Sequence, residues 1–228
     1  MKVLDLYAGT GSATAGLKAR GHDVRHVELF PDKMGTPDPV IKADVWEVVK
    51  NPDKWLGDWR PDALWLSPPC QTFSMGGNTH NWYHGAWQDP PKVFPWWGPR
   101  FPRTRDAWDA CGHIVAALQA IDLFNVPWIM ENPRGGLRTM GFMDAVPDAF
   151  TVTYCQYGDE RMKPTDFWSN IDLSLFLHPA CKNGESCHVA APRGADTGTQ
   201  GLKDARLRGM VPYDLSVAIA QALESAVR

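Results

Sequence analysis

The run Ser67-Pro68-Pro69-Cys70-Gln71 follows directly on an apolar tetrapeptide, Ala63-Leu64-Trp65-Leu66, with the length and character of a buried strand. Two prolines stiffen the chain at the strand end, so the Cys70 thiol is presented from a rigid turn, where parallel α/β sheets hold their ligands. A thiol in that position suits nucleophilic chemistry; a packed core cysteine is the competing reading of the same five residues. A second group able to do chemistry is His178-Pro179-Ala180-Cys181-Lys182-Asn183-Gly184-Glu185-Ser186-Cys187-His188. Its soft ligands Cys181, Cys187 and His188, completed by Cys155 or His178, suit a structural zinc ion, or else are unligated thiols in a polar loop.

A third is Asp5-Leu6-Tyr7-Ala8-Gly9-Thr10-Gly11-Ser12, a glycine turn between a strand and a helix. Close backbone approach and a helix N-terminus there favour a polar or anionic group. The spacing is neither the dinucleotide fingerprint nor a P-loop. Glu28 stands where a carboxylate meets ribose hydroxyls, and Asp44 where one meets an adenine amino group or caps a helix.

The elements that must position these residues alternate. Strands are expected over 2–7, 23–29, near 40–44, 63–66 and 127–130, with helices over 13–20 and 105–124, which predicts a mostly parallel sheet with right-handed crossovers. Beyond residue 150, strands are expected over 150–154 and 166–169. A Gly, Cys and Pro-rich stretch follows from 178 to 201, and an amphipathic helix runs from 213 to 223.

At 228 residues the chain can bury one full core. The N-terminus carries Asp5 among its apolar positions, unlike a signal peptide or membrane span, and five cysteines without regular spacing exclude a disulfide scaffold. The expected setting is cytoplasmic, with no membrane. A net charge of −3 excludes a uniformly basic nucleic-acid module and confines any such surface to a patch. Aromatic and basic residues interleave over 72–105, which contains Asn78, Trp82, Trp87, Trp96, Trp97, Arg100 and Arg103. That pattern suits a loop closing on nucleic acid, or a tryptophan-rich flap packed on the protein itself.

The glycine turn, Pro-Pro-Cys-Gln, Glu131-Asn132-Pro133 and Tyr157-Gly158 with basic residues behind it occur in an order that resembles the DNA (cytosine-5) methyltransferases. The resemblance covers roughly residues 1–168 and implies an α/β, Rossmann-like fold with S-adenosylmethionine as methyl donor. Tyr7, Ala8, Gly9, Thr10, Gly11, Ser12, Glu28, Leu29, Asp44, Val45 and Pro68 would surround that cofactor. The resemblance further implies Cys70 as the nucleophile and Glu131 as the acid that engages the ring, on a cytosine flipped from a DNA duplex. RNA as substrate, or a catalytically silent nucleic-acid-binding relative, stay open. Gln71, Ser74, Asn78, Arg100, Arg103 and Arg193 are the nucleic-acid candidates.

The family's Gln-x-Arg-x-Arg pattern is altered. Arg161 falls at its Gln, Lys163 at its first Arg and Thr165 at its second, so Arg161 and Lys163 contact either the base or no more than a phosphate. The target-recognition region is minimal, since about forty residues separate Trp168 from the C-terminal helix, and no closing Gly-Asn pair occurs. That compactness resembles phage-encoded members, for which the compartment is the host cytoplasm. The expected organisation is a catalytic region over 1–168, a Cys/His-rich insert over 169–209 whose Cys181, Cys187 and His188 are candidate zinc ligands together with Cys155 of the catalytic region, and a helix over 210–228 packed back on a monomer.

Overall fold

The computed structural model describes residues 1–74, 78–84, 100–190, 202 and 204–227, without the side chains at 78, 79, 84 and 205. Its elements in chain order are β1 (Lys2–Leu6), α1 (Ala15–Ala19), β2 (Asp23–Val27), α2 (Pro31–Met34), β3 (Val40–Ile41), α3 (Val45–Lys50), α4 (Pro52–Leu56), β4 (Ala63–Leu66), α5 (Asn78–Asn81), β5 (Trp82–His84), β6 (Arg100–Pro102), α6 (Arg105–Phe124), β7 (Trp128–Pro133), β8 (Phe150–Thr153), β9 (Pro164–Ser169), α7 (Ala205–Gly209) and α8 (Tyr213–Ala226).

The seven-stranded sheet runs β3-β2-β1-β4-β7-β9-β8. The first five of these strands are mutually parallel, β9 pairs antiparallel to β7 (Met130 opposite Trp168), and β8 antiparallel to β9. This is the Rossmann-like arrangement expected, with strand order reversing between β1 and β4, where such sheets open a crevice at their carboxyl ends.

Strand periodicity sorts the side chains into two cores. Leu4, Leu6, Leu64, Leu66 and Met130 face the layer of α3 and α6, while Val3, Ala63, Trp65, Ile129 and Phe167 face α1 and α8. A short helix and a 3₁₀ turn over Ser12–Thr14 replace the single expected helix over 13–20, because Gly11 takes φ 69° and turns the chain before Ala15. Gly16 admits α8 closely. A Cβ there would stand 2.6 Å from the backbone of Ser216, whose Oγ accepts from the Gly16 amide at 2.7 Å.

Two expectations are corrected. The strand expected over 127–130 extends to Pro133, because antiparallel pairing with β9 continues past Met130; Glu131 therefore lies inside a strand. The stretch 72–105, expected as a loop, contains α5 and the antiparallel pair of β5 with β6, with Tyr83 opposite Phe101. Among the described residues no helix is long and apolar enough to cross a membrane.

Candidate active site

The Cys70 turn closes on itself by backbone bonds, the amides of Phe73 and Ser74 donating to the Cys70 carbonyl at 3.1 and 2.9 Å. The strand carrying Glu131 fastens to this turn at two points. Asn132, wholly buried, donates from Nδ2 to the Pro68 carbonyl at 3.0 Å, and the Gly136 amide donates to the Phe73 carbonyl at 2.7 Å. A Cβ on Gly135 would lie 2.3 Å from that same carbonyl oxygen, so only glycine permits the approach. The ends of β4 and β7 thus form one rigid unit.

Around it the charges converge. Burial pushes the Cys70 thiol up to about 11, the Glu131 charge adding to the rise while Lys163 and Arg208 oppose it. Burial also raises the Glu131 carboxyl above its ordinary range, against the pull of Lys163 and a long 3.5 Å hydrogen bond from the Tyr154 hydroxyl. Lys163 is lowered by its own burial, and Glu131 and Cys70 draw it back up. Its ammonium lies 4.2 Å over the Tyr154 ring and donates to the Arg208 carbonyl at the end of α7, 2.8 Å away. A non-glycine φ of 31° at Lys163 turns the chain into β9.

The structure therefore separates the two basic candidates. Lys163 acts electrostatically on Glu131 and Cys70, whereas Arg161 closes a local ring with Asp159, its Nε 2.8 Å from Oδ1, although its buried Nη1 has no partner among the described residues. Thr165 gives its hydroxyl to the Lys163 carbonyl at 3.2 Å. The sequence reading missed Tyr154, whose only signal was its place just before Tyr157-Gly158, and gave Asn132, named within Glu131-Asn132-Pro133, no role.

At the opposite rim, Gly9 and Gly11 both have positive φ, and Glu28 ties the turn to β2 by accepting from the Gly9 and Phe30 amides at 2.9 and 3.0 Å. Asp5 braces the turn from below, accepting from Thr14 Oγ1 at 2.7 Å and meeting His26 Nδ1 at 3.0 Å. Asp44 caps α3 through one oxygen, receiving the Trp46 amide at 2.9 Å. Tyr7 donates to the His113 carbonyl at 2.9 Å, Ser12 Oγ accepts from the Val211 amide at 3.0 Å, and Ala8, Val45 and Pro68 are buried. Leu29 and Phe30 are 42% and 59% exposed beside Glu28, the apolar surface that a heteroaromatic ring would cover. Each carboxylate oxygen accepts more than one bond, so Glu28 and Asp44 keep free lone pairs for hydroxyl and amino donors. These residues fit S-adenosylmethionine.

Of the nucleic-acid candidates, Gln71 is exposed, Ser74 donates to the Gln71 carbonyl at 3.0 Å, and the Arg103 guanidinium lies 5.6 Å from the Tyr83 ring centroid. Arg100 sits half-buried on β6. Arg193, the Asn78 side chain, Trp87, Trp96 and Trp97 lie outside the described residues. Trp82 answers to the packed reading. It is buried, stacks on Phe73 at 5.2 Å and donates to the Thr72 carbonyl at 2.8 Å. Next to Tyr154 in the chain, Cys155 joins Cys181, Cys187 and His188, and their ligand atoms lie within 4.8 Å of one another. His178 stays outside this group, its ring 5.8 Å from that of Tyr157.

No family model matches the chain. It is 28% identical to a probable DNA (cytosine-5)-methyltransferase of Frog virus 3 (isolate Goorha), over 96% of this chain and 98% of the relative. The sequence resemblance to such enzymes thus runs along nearly the whole length of both proteins. Among solved structures it is similar to the S. pombe Dnmt2 methyltransferase, with a TM-score of 0.45, 14% identity and coverage of 81% of this chain and 57% of that one. A SAM-dependent methyltransferase from Archaeoglobus fulgidus gives a TM-score of 0.30 and 16% identity, covering 58% and 44%.

Proposed function

We propose that this protein methylates carbon 5 of cytosine in DNA, with S-adenosylmethionine as donor and a covalent intermediate on Cys70. The observation that carries this reading is the meeting of Cys70, Glu131 and Lys163 at the ends of β4, β7 and the turn into β9, bound together through Asn132 and Gly136. Nearly full-length similarity to a viral relative named for that reaction supports it.

Carbon 5 of cytosine is a poor nucleophile until something adds at carbon 6. The Cys70 thiolate forms that S–C6 bond and shifts the ring's electron pair towards carbon 5. Glu131, whose carboxyl burial raises, gives a hydrogen bond at ring N3 in its protonated form and draws the shifted charge, while its other oxygen accepts from the exocyclic amine. Lys163 favours the thiolate, since its positive charge pulls against the burial that raises Cys70. Asn132 and the Pro68 carbonyl keep the thiol and the carboxyl in register. S-adenosylmethionine, when bound, supplies an electrophilic methyl group. Loss of the C5 proton to a solvent base expels the Cys70 thiolate and restores the ring.

A cytosine stacked in a duplex cannot reach a thiol at the bottom of such a site, so the base is taken out of the helix, with Gln71, Ser74, Asn78, Arg100, Arg103 and Arg193 near the backbone. The test is nucleoside mass spectrometry of plasmid DNA from a host lacking cytosine methylation that expresses this chain. A 5-methyldeoxycytidine signal that disappears with Cys70→Ala is the expected result. Soluble protein that leaves DNA unmodified but methylates RNA oligonucleotides would move the substrate to RNA, and transfer to neither would overturn the reading.

A further inference from the structure

Three thiols and one imidazole converge where no methyl-transfer step needs them. Cys155 Sγ lies 3.4 Å from Cys181 Sγ and 3.5 Å from Cys187 Sγ, and His188 Nδ1 lies 3.4 Å from Cys187 Sγ and 3.7 Å from Cys181 Sγ. A disulfide needs its sulfurs about 2.05 Å apart, so these are not bonded pairs. The edges of a tetrahedron with metal–sulfur bonds of about 2.3 Å and a metal–nitrogen bond of about 2.0 Å are roughly 3.5–3.8 Å long. These four separations fall within or just below that range, and all four ligand atoms lie within 4.8 Å of one another. Three thiolates and an imidazole, with no carboxylate among them, form a donor set that selects zinc over the hard cations.

The connections of the four ligands say what a metal would do there. Cys155 follows Tyr154 directly, in the 3₁₀ turn over Tyr154–Tyr157 that leaves β8. Cys181 is docked to β8, its amide donating to Thr153 Oγ1 at 3.1 Å while the Ala180 amide donates to the Thr151 carbonyl at 2.9 Å. Behind His188, the Val189 amide donates to the Glu160 carbonyl at 3.0 Å. The segment 154–163 is thus held at Cys155 by the cluster and at Glu160 by the residue after His188; it begins with the tyrosine under Lys163 and ends with Lys163 itself. Between β9 and residue 190 the only regular element is a 3₁₀ turn at Leu173–Leu175, so this insert has little core of its own. The His188 ring has no other anchor, since its buried Nε2 meets no acceptor among the described residues.

We propose that Cys155, Cys181, Cys187 and His188 hold one structural zinc ion, which pins the segment 154–163 and with it the placement of Tyr154 and Lys163. The metal site stands on its own geometry, while its bearing on catalysis rests on the reading of Lys163 given above.

The test uses the full chain purified under reducing conditions without chelator. Elemental analysis should find about one zinc per chain. Cys70→Ser and His188→Cys, which supplies a fourth thiolate, should retain it, and Cys181→Ser should lose it. Exchange for cobalt should give the visible spectrum of a tetrahedral thiolate site. Substoichiometric metal, with the three cluster thiols as open to a thiol reagent as in unfolded protein, would overturn the site, as would a disulfide among them. Hydrogen exchange then reads the second half: stripping the metal should speed exchange over 154–163 and leave Lys2–Leu6 unchanged. Equal protection of 154–163 with and without metal would overturn the positioning role. None of these readouts involves methyl transfer, so failure of the zinc proposal and failure of the functional proposal are separable.

Discussion

At the scale of single residues, the site is a balance between burial and charge. Burial raises both the Cys70 thiol and the Glu131 carboxyl, and Lys163 is the cation set against both. Cys70→Ser is expected to abolish methyl transfer while S-adenosylmethionine binding, measured by calorimetry, stays near its original strength. Glu131→Gln keeps the shape but cannot give its proton to N3, and about a 10²-fold fall in kcat is expected, the usual share of a general acid. For Lys163→Met the sign follows from its position. Removing a positive charge raises the thiol further, so the rising limb of the pH–rate profile should move to higher pH. The loss at neutral pH should be roughly tenfold, equivalent to ~1.4 kcal/mol. Lys163→Arg should leave the limb in place, because the charge persists. An unmoved limb in the methionine variant would separate Lys163 from the thiol. Cys70 and Glu131 were legible in the sequence because two prolines and a Glu-Asn-Pro mark strand ends. Tyr154 was not, because its role comes from packing under Lys163 rather than from any local pattern.

Between elements, the contact that backs the glycine turn is the one between α1 and α8. Gly16 lets the two backbones meet, Ser216 Oγ donates to the Ala13 carbonyl at 2.8 Å, and Glu224 accepts from Arg20 Nε at 2.8 Å and meets His22 Nε2 at 2.6 Å. Gly16→Ala would drive a methyl group into the Ser216 backbone, which cannot step aside cheaply. A loss of about 1–3 kcal/mol in urea unfolding is expected, with weaker cofactor binding as its consequence. The Glu224 carboxyl is held down to about 2, chiefly by its hydrogen bond from Arg20, below the unfolded value of about 4.3. A depressed folded value stabilises above the unfolded one and is lost as pH falls through the folded one. Glu224→Gln should therefore lower Tm at pH 7, and the gap should narrow as pH falls from about 4.3 towards 2. A gap unchanged across that window would deny the ion pair its role. Strand alternation and the long α6 were readable from apolar period. The β5–β6 pair was not, since aromatic, proline and basic residues carry no period-two signal; its start is pinned by Trp82, which stacks on Phe73 and donates to the Thr72 carbonyl.

Across the whole molecule, two cores sandwich one sheet, and α8 closes the second of them with Leu215, Ile219 and Leu223. Burying three such side chains is worth about 5–9 kcal/mol, comparable with the total stability of a typical domain. Truncation before Tyr213 should accordingly give a chain with no cooperative thermal transition; a folded truncated protein would show that the first core suffices. The amino-acid sequence by itself determined the alternation of strands and helices, and the presence of a thiol, a carboxyl and four candidate metal ligands at turn-rich points. Those are properties of neighbours in the chain, where apolar period, proline and glycine act within a few residues. Only the tertiary structure decided that Lys163 rather than Arg161 acts on Cys70, that Glu131 sits within a paired strand, and that Cys155 rather than His178 joins Cys181, Cys187 and His188. Each of those outcomes depends on which distant segments share a low-dielectric interior, and there a few ångströms of burial and one opposing charge settle what local sequence leaves open.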